Sequence, residues 1–208
     1  YTDEILMKRI NSEIENGRAE NIYDAYYKCY IDILKEKEIK ISKDNICLGA
    51  KTVQFNKGVV EYFEKYQNSK TGIKHYIITS GIKDFVEETE IRKFLDGVYG
   101  VTFKYQEDSS VDVEFLLTDE KKVDIIKKIQ NENNVTNDII YFGDGLTDKF
   151  AFDYVHSIGG KTIFIASNEK SIVNYKKLNT NKIIDECFDS DFSTYSKIGK
   201  YIEAQIKK

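Results

Sequence analysis

Asn137-Asp138-Ile139-Ile140-Tyr141-Phe142-Gly143-Asp144-Gly145-Leu146-Thr147-Asp148 is the stretch on which the reading of this chain turns. Ile139 to Phe142 form an apolar run with no charged interruption, which suits a strand covered on both faces in a parallel sheet. Gly143 and Gly145 then bracket Asp144, and the turn they make carries a carboxylate out of the carboxyl end of the strand. Open α/β sheets place their ligands there. Asp148 follows one turn later, close enough to share a site. Two carboxylates on a stiff strand read as a hard-cation site, because Mg²⁺ takes oxygen ligands and is held by one or two carboxylates, waters and substrate phosphate. Taken alone, Gly and Asp also make an ordinary turn. An EF-hand loop is excluded, since its alternating oxygen ligands and closing Glu are absent at this spacing.

Working outward, strands and helices alternate on both sides of this stretch. Upstream, Val59, Tyr62, Phe63 and Tyr66 make a helical stripe, and His75 to Thr79 is an apolar strand ending in Ser80-Gly81. Ile82, Phe85 and Val86 open another helix, so that a helix N-terminus and turn amides are expected to face an anion. Val98 to Leu117 reads as short strands around a polar turn at Glu107 to Ser110. A helix from about Glu120 to Asn131 turns Val123, Ile126 and Ile129 inward. Downstream, Ala151, Tyr154, Val155 and Ile158 share one side of a helix that Gly159-Gly160 stops. Lys161 to Ala166 is a buried strand, Lys170 to Leu178 a helix, Lys182 to Phe188 a short strand, and Ser196 to Lys207 a closing helix. This alternation predicts a doubly wound parallel sheet from about residue 56 to 208.

Residues 1 to about 55 have a different rhythm. Leu6, Ile10 and Ile14 repeat at helical spacing, and Ile22, Ala25, Tyr26, Cys29 and Ile33 follow Asn21, a suitable N-cap. A small helical unit is expected, with a charged run at Lys35 to Lys43 and a loop or weak strand at Asn45 to Gln54. The tyrosines between 23 and 30 are expected to pack this unit, with Tyr27 and Tyr30 the two placed to touch a substrate.

Composition narrows the function classes. A formal charge of -4 over 208 residues gives no general attraction to nucleic acid or an anionic membrane. No apolar run reaches membrane-spanning length. Cys29, Cys47 and Cys187 are odd in number and unpaired in spacing, which predicts reduced packing thiols and a cytoplasmic setting. His75 and His156 read as structural. Nothing in the sequence encodes an oligomeric state. The chain has no proline and begins with Tyr1, which leads to the expectation that it is part of a longer polypeptide.

Thr79 and Ser80 end one strand, Lys122 opens a helix, and Asp144 and Asp148 follow another strand. A hydroxyl, turn amides, an ammonium and a carboxylate-bound cation together suit phosphoryl chemistry. On these residues the sequence resembles the haloacid dehalogenase (HAD) superfamily. I-I-T-S-G at 77 to 81, Lys122 ahead of V-D-I-I-K-K-I, and Y-F-G-D-G-L-T-D at 141 to 148 look like its second, third and fourth motifs. H-Y-I-I-T-S-G-I-K-D-F-V-E at 75 to 87 and G-G-K-T-I-F-I-A at 159 to 166 look like its phosphoserine-phosphatase-like branch. Single motifs of this kind are weak, but their order and spacing over residues 56 to 208 make the match specific.

The resemblance implies a Rossmann-like HAD core with residues 1 to 55 as a substrate-choosing cap, and a Mg²⁺-dependent hydrolysis of a small phosphorylated metabolite through an aspartyl-phosphate. Thr79 would bond the transferring phosphoryl group, with Ser80 and Gly81 giving amides. Lys122, rather than its neighbour Lys121, would neutralise charge. Asp144 would ligate Mg²⁺, and Asp148 would ligate it or orient a bound water. One motif is missing: the first, an apolar strand ending Asp-x-Asp-x-Thr or Val that carries the nucleophile. Asp189-Ser190-Asp191 imitates it but lies beyond the last core strand, where a surface loop is expected. In a doubly wound sheet the strands ending at Thr79 and Asp144 would flank a further central strand, so the missing segment is expected upstream of Tyr1. Two other readings stand beside this one. A non-catalytic phosphate-binding or interaction module would lack the nucleophile altogether. A receiver domain also uses an acid cluster, Thr or Ser, and Lys, but its Lys should follow the Thr strand closely and no G-D-G-x-x-D turn should come after it.

Overall fold

The computed structural model describes residues 3–40, 42–106 and 111–206. The expected turn at 107–110 and Lys207 lie outside them. In chain order the elements are α1 (Asp3–Glu15), α2 (Ile22–Glu36), α3 (Lys43–Ala50), α4 (Val59–Tyr66), α5 (Asn68–Thr71), β1 (Tyr76–Ile82), α6 (Lys83–Glu87), β2 (Gly97–Tyr105), β3 (Val111–Phe115), α7 (Asp119–Asn133), β4 (Ile140–Gly143), α8 (Lys149–Ser157), β5 (Lys161–Ile165), α9 (Glu169–Leu178), β6 (Glu186–Phe188) and α10 (Lys197–Ile206). The fold is mixed α/β. Its strands form two three-stranded sheets, ordered β1-β2-β3 and β4-β5-β6. No helix among the described residues is long and apolar enough to cross a membrane.

Two compact units emerge. The first gathers residues 1–53, 79–92 and 100–118, and the second residues 54–78, 93–99 and 119–208. In the first, the Asn21 side chain accepts from the Tyr23 and Asp24 amides at 3.0 Å each and so starts α2. Ile10, Ala25 and Cys29 then bury the seam between α1 and α2. Asn45 to Gln54, expected as a loop or weak strand, contains a helix instead. Ser42 caps α3 by accepting from the Asn45 amide at 3.2 Å, and Gly49 in its last turn lies against the Phe85 ring. β2 and β3 pair antiparallel, with Phe103 opposite Val113 and Tyr105 opposite Val111.

The second unit holds the parallel sheet. Side-chain alternation along β5 sends Ile163 and Ile165 to one face and Phe164 to the other. Tyr66 of α4 and Ile198 and Ile202 of α10 cover the first face. Phe152 of α8 and Leu178 of α9 cover the second. Phe152, Phe164, Ile163 and Ile198 are fully buried, each contributing roughly 1.5–3 kcal/mol by removal from water. β4 departs from its expected double burial: Ile140, Tyr141 and Phe142 are half-buried. The reason is position, since β4 ends the sheet order and only β5 pairs with it among the described residues.

Gly58 caps α4 with φ +77°, a backbone that L side chains rarely adopt. A Cβ there would lie 2.2 Å from the Ser193 nitrogen. The contact is stapled on either side by the Phe192 amide donating to Lys57 O at 2.7 Å and by Lys57 Nζ bonding Asp191 Oδ2 at 2.7 Å.

Candidate functional site

Thr79, Ser80 and Gly81 belong to the first unit, and Lys122, Asp144 and Asp148 to the second.

In the second unit the three residues converge. α7 presents Ile126 and Ile129 to the core, and the same inward stripe carries Lys122, which is only 4% exposed, whereas Lys121 faces outward. Burying an ammonium requires compensation. Lys122 Nζ donates to Asp148 Oδ1 at 2.8 Å and to the Thr147 carbonyl at 3.2 Å. Two of its three N–H groups are therefore engaged, and the third has no acceptor among the described residues.

Asp148 is 6% exposed and closes the turn. Its Oδ1 also accepts from Tyr141 Oη at 2.8 Å, and its Oδ2 accepts from the Asp144 and Gly145 amides at 3.0 and 3.2 Å. All four acceptor positions of the carboxylate are thus filled. Asp148 acts as a brace that ties strand, turn and helix together. Gly143 makes this possible by close approach, since a Cβ there would lie 2.8 Å from Asp148 Cγ and 2.7 Å from the Phe152 ring.

Tyr141 was not singled out as a site residue from the sequence. The available signal was its hydroxyl, the one polar side-chain group in an otherwise apolar strand, on the β4 face that packs toward α7 and α8. Burial, then the Asp148 charge, pushes its phenol far above the ordinary range, so that it remains a donor.

Asp144 stands apart from this network. Its side chain is exposed at the strand end, and among the described residues no side chain bonds to it. Partial desolvation, followed by the Asp148 charge, raises its pKa, with Lys122 opposing. A carboxylate held in a net negative field and without a partner is suited to a cation. No group of three or more His, Cys, Asp or Glu side chains gathers around a metal position among the described residues. Asp144 is thus a lone carboxylate donor, and a hard cation on it would need water and phosphate oxygens for the rest of its shell.

In the first unit, β1 does not turn at Ser80-Gly81 as expected. It continues through them to Ile82, and the helix that follows, α6, is a single short turn. The Gly81 amide donates to Thr79 Oγ1 at 3.0 Å. The Ser80 carbonyl accepts from Tyr27 Oη at 2.6 Å, and Tyr27 is 3% exposed. Tyr27, expected as a candidate substrate contact, is instead buried against the strand.

The remaining candidates are structural. His75 bonds Tyr62 Oη through Nε2 at 3.2 Å inside a ring cluster, and His156 is exposed at the end of α8. Asp189-Ser190-Asp191 lies after β6 in a loop where Asp191 bonds Lys57 and Ser193.

No protein-family profile matches the sequence, and no curated protein matches it. Solved structures do. A HAD family hydrolase from Salmonella enterica subsp. enterica serovar Typhi superposes over 88% of this chain with a TM-score of 0.61 at 17% identity. A probable phosphoserine phosphatase from Vibrio cholerae, in its unliganded form, superposes over 82% with a TM-score of 0.58 at 13% identity. This chain spans 57% and 50% of the lengths of those two proteins. At such identities the likeness is one of architecture: this chain shares the mixed α/β, Rossmann-like fold of those two proteins.

Proposed function

We propose that the chain is part of a Mg²⁺-dependent HAD-type phosphatase that hydrolyses a small phosphomonoester through an aspartyl-phosphate. The observation that carries this reading is the buried Lys122–Asp148 pair beside the unpartnered Asp144 carboxylate. Asp148, braced by Tyr141 and two turn amides, fixes Lys122 so that its remaining N–H can meet a phosphoryl oxygen. Asp144 would hold the cation, which when bound offsets phosphoryl charge. Thr79, with one lone pair taken by the Gly81 amide, keeps its hydroxyl proton for an anion.

The nucleophile in this reading belongs to a further strand along the β4 edge, ending Asp-x-Asp and encoded upstream of Tyr1. The half-buried apolar side chains of β4 support this, because an apolar strand with an open ladder invites pairing. The alternative is a non-catalytic phosphate-binding module. It is favoured for the 208 residues by themselves, since their one Asp-x-Asp, at 189 to 191, sits in a loop with Asp191 tied to Lys57.

Thermal melts with and without MgCl₂ test the cation site. At ten times Kd a bound ion adds about 1.4 kcal/mol, a rise of roughly 3–6 °C for a chain of this size. Asp144→Asn should abolish that rise, and an unchanged rise in the variant refutes the assignment. Turnover separates the two readings. The upstream-extended chain should hydrolyse p-nitrophenyl phosphate in Mg²⁺, and residues 1–208 should not. Hydrolysis by residues 1–208 that is lost in Asp189→Asn would move the chemistry to the 189–191 loop.

A further inference from the structure

A buried phenol needs an acceptor for its hydroxyl, because leaving the group unpaired costs the full price of desolvation. Tyr27 lies on the inward side of α2, edge-on to Phe103 at 5.8 Å and to Tyr26 at 5.2 Å between ring centroids. Its hydroxyl finds the main-chain carbonyl of Ser80, 53 residues along the chain, at 2.6 Å. Burial holds the phenol protonated, so it acts as a donor.

The Ser80 carbonyl shares a planar trans peptide with the Gly81 amide, so the two groups point in opposite directions. Fixing one fixes the other. The Gly81 N–H is aimed at Thr79 Oγ1, 3.0 Å away. A hydroxyl that already accepts there turns its proton elsewhere, and no acceptor for that proton exists among the described residues. Glycine at 81 makes the arrangement easy to lose, since a peptide followed by glycine rotates at little steric cost. Rotation would swing the N–H away and leave the Thr79 hydroxyl free to spin.

We propose that Tyr27 is the positioning residue for the Thr79 hydroxyl, acting through the Ser80–Gly81 peptide. The consequence for phosphate rests on the functional reading above; the geometry does not. A residue of the N-terminal helices thereby sets the direction of a donor at the end of β1 without touching the ligand.

The test uses Tyr27→Phe, which removes one oxygen and keeps the ring on Phe103, with Tyr26→Phe as the control. Two quantities are read by NMR on the full chain: hydrogen exchange at the Gly81 amide, and affinity for inorganic phosphate. Tyr27→Phe should speed Gly81 exchange at least tenfold while exchange inside α2 stays as in the wild type, and Tyr26→Phe should leave Gly81 unchanged. Phosphate affinity should fall about three- to tenfold, the range of one hydrogen bond. In a Thr79→Val background Tyr27→Phe should cause no further loss, whereas a merely structural tyrosine would weaken both backgrounds alike. Unchanged Gly81 exchange in Tyr27→Phe overturns the proposal. So does equal loss of affinity in both backgrounds. If Thr79→Val leaves phosphate binding untouched, the functional reading of Thr79 fails, and Gly81 exchange still decides whether Tyr27 holds the peptide.

Discussion

Breaking the Lys122–Asp148 pair from either side should give unequal costs, and the structure sets their order. The pair is 2.8 Å long, and the two side chains are 5% and 8% exposed, so water cannot take over from a lost partner. Removing one member of such a pair costs about 3–5 kcal/mol, most of it from the charge left behind. Lys122→Met leaves the Asp148 carboxylate with three of its four donors: Tyr141 Oη and the Asp144 and Gly145 amides. Its cost should therefore sit at the low end, about 3 kcal/mol. Asp148→Asn leaves a buried ammonium with only the Thr147 carbonyl at 3.2 Å. The new amide group must also turn its NH₂ away from two backbone N–H groups that need an acceptor. That variant should cost about 5 kcal/mol. For a chain of this length these losses correspond to midpoint shifts of roughly 6–12 °C and 10–20 °C. Urea unfolding at neutral pH followed by circular dichroism gives both values, with the outward-facing Lys121→Met as control, expected to cost less than either. If Lys122→Met is the costlier variant, or if both fall within about 1 kcal/mol of wild type, the account of Asp148 as a saturated brace is wrong.

Two further outcomes concern stability alone. Gly58→Ala adds a Cβ 2.2 Å from a backbone nitrogen at φ +77°, which should cost about 2–5 kcal/mol from strain and overpacking; Gly145→Ala, with 3.6 Å of room to Thr147 Oγ1, should cost under about 1 kcal/mol, and equal midpoints for the two would contradict the structure. Burial beside Tyr62 and Phe63 holds the His75 imidazole below its ordinary pKa, against an opposing pull from Asp96. The folded state thus resists a proton that the unfolded chain accepts. Stability is fully present above the unfolded value near 6.5 and is lost as pH falls from there through the folded value, by up to about 1.4 kcal/mol per pH unit. Urea titrations at pH 7.5 and 5.5 should show that loss in the wild type and a smaller one in His75→Leu; an equal loss in both would assign the acid sensitivity elsewhere.

Local signals carried most of the fold. The β5 run and the inward stripe of α7 were legible because one segment's periodicity is enough to define them. The Gly143-Asp144-Gly145 turn at the end of β4 was legible for the same reason. What escaped depended on distant partners or on competing cues. α3 was obscured by Gly49, which reads as a loop residue until Phe85 is seen lying against it. The continuation of β1 past Ser80 was hidden because Ser-Gly signals a turn, and a bond from Tyr27 is invisible along the chain. The half-burial of β4 follows from its place in the sheet order, which its own composition does not encode. Lys122 could be chosen over Lys121 by register, but the bracing of Asp148 by Tyr141 depends on how the turn folds back onto β4.

The staple between residues 57–58 and 191–193 has a consequence for synthesis. Lys57 and Asp191 are 134 positions apart. A ribosome adding about 5–20 residues per second exposes the first long before the second, by roughly 7–27 s. Tyr66 on α4 buries its ring against Ile198 and Ile202, so that apolar surface must wait for the same late segment. Long-range closure of this kind slows folding and leaves this face of the nascent α4 without Ile198 and Ile202 until they have been made. The second unit is thus a domain whose packing is completed only after its last described strand, β6, has been made.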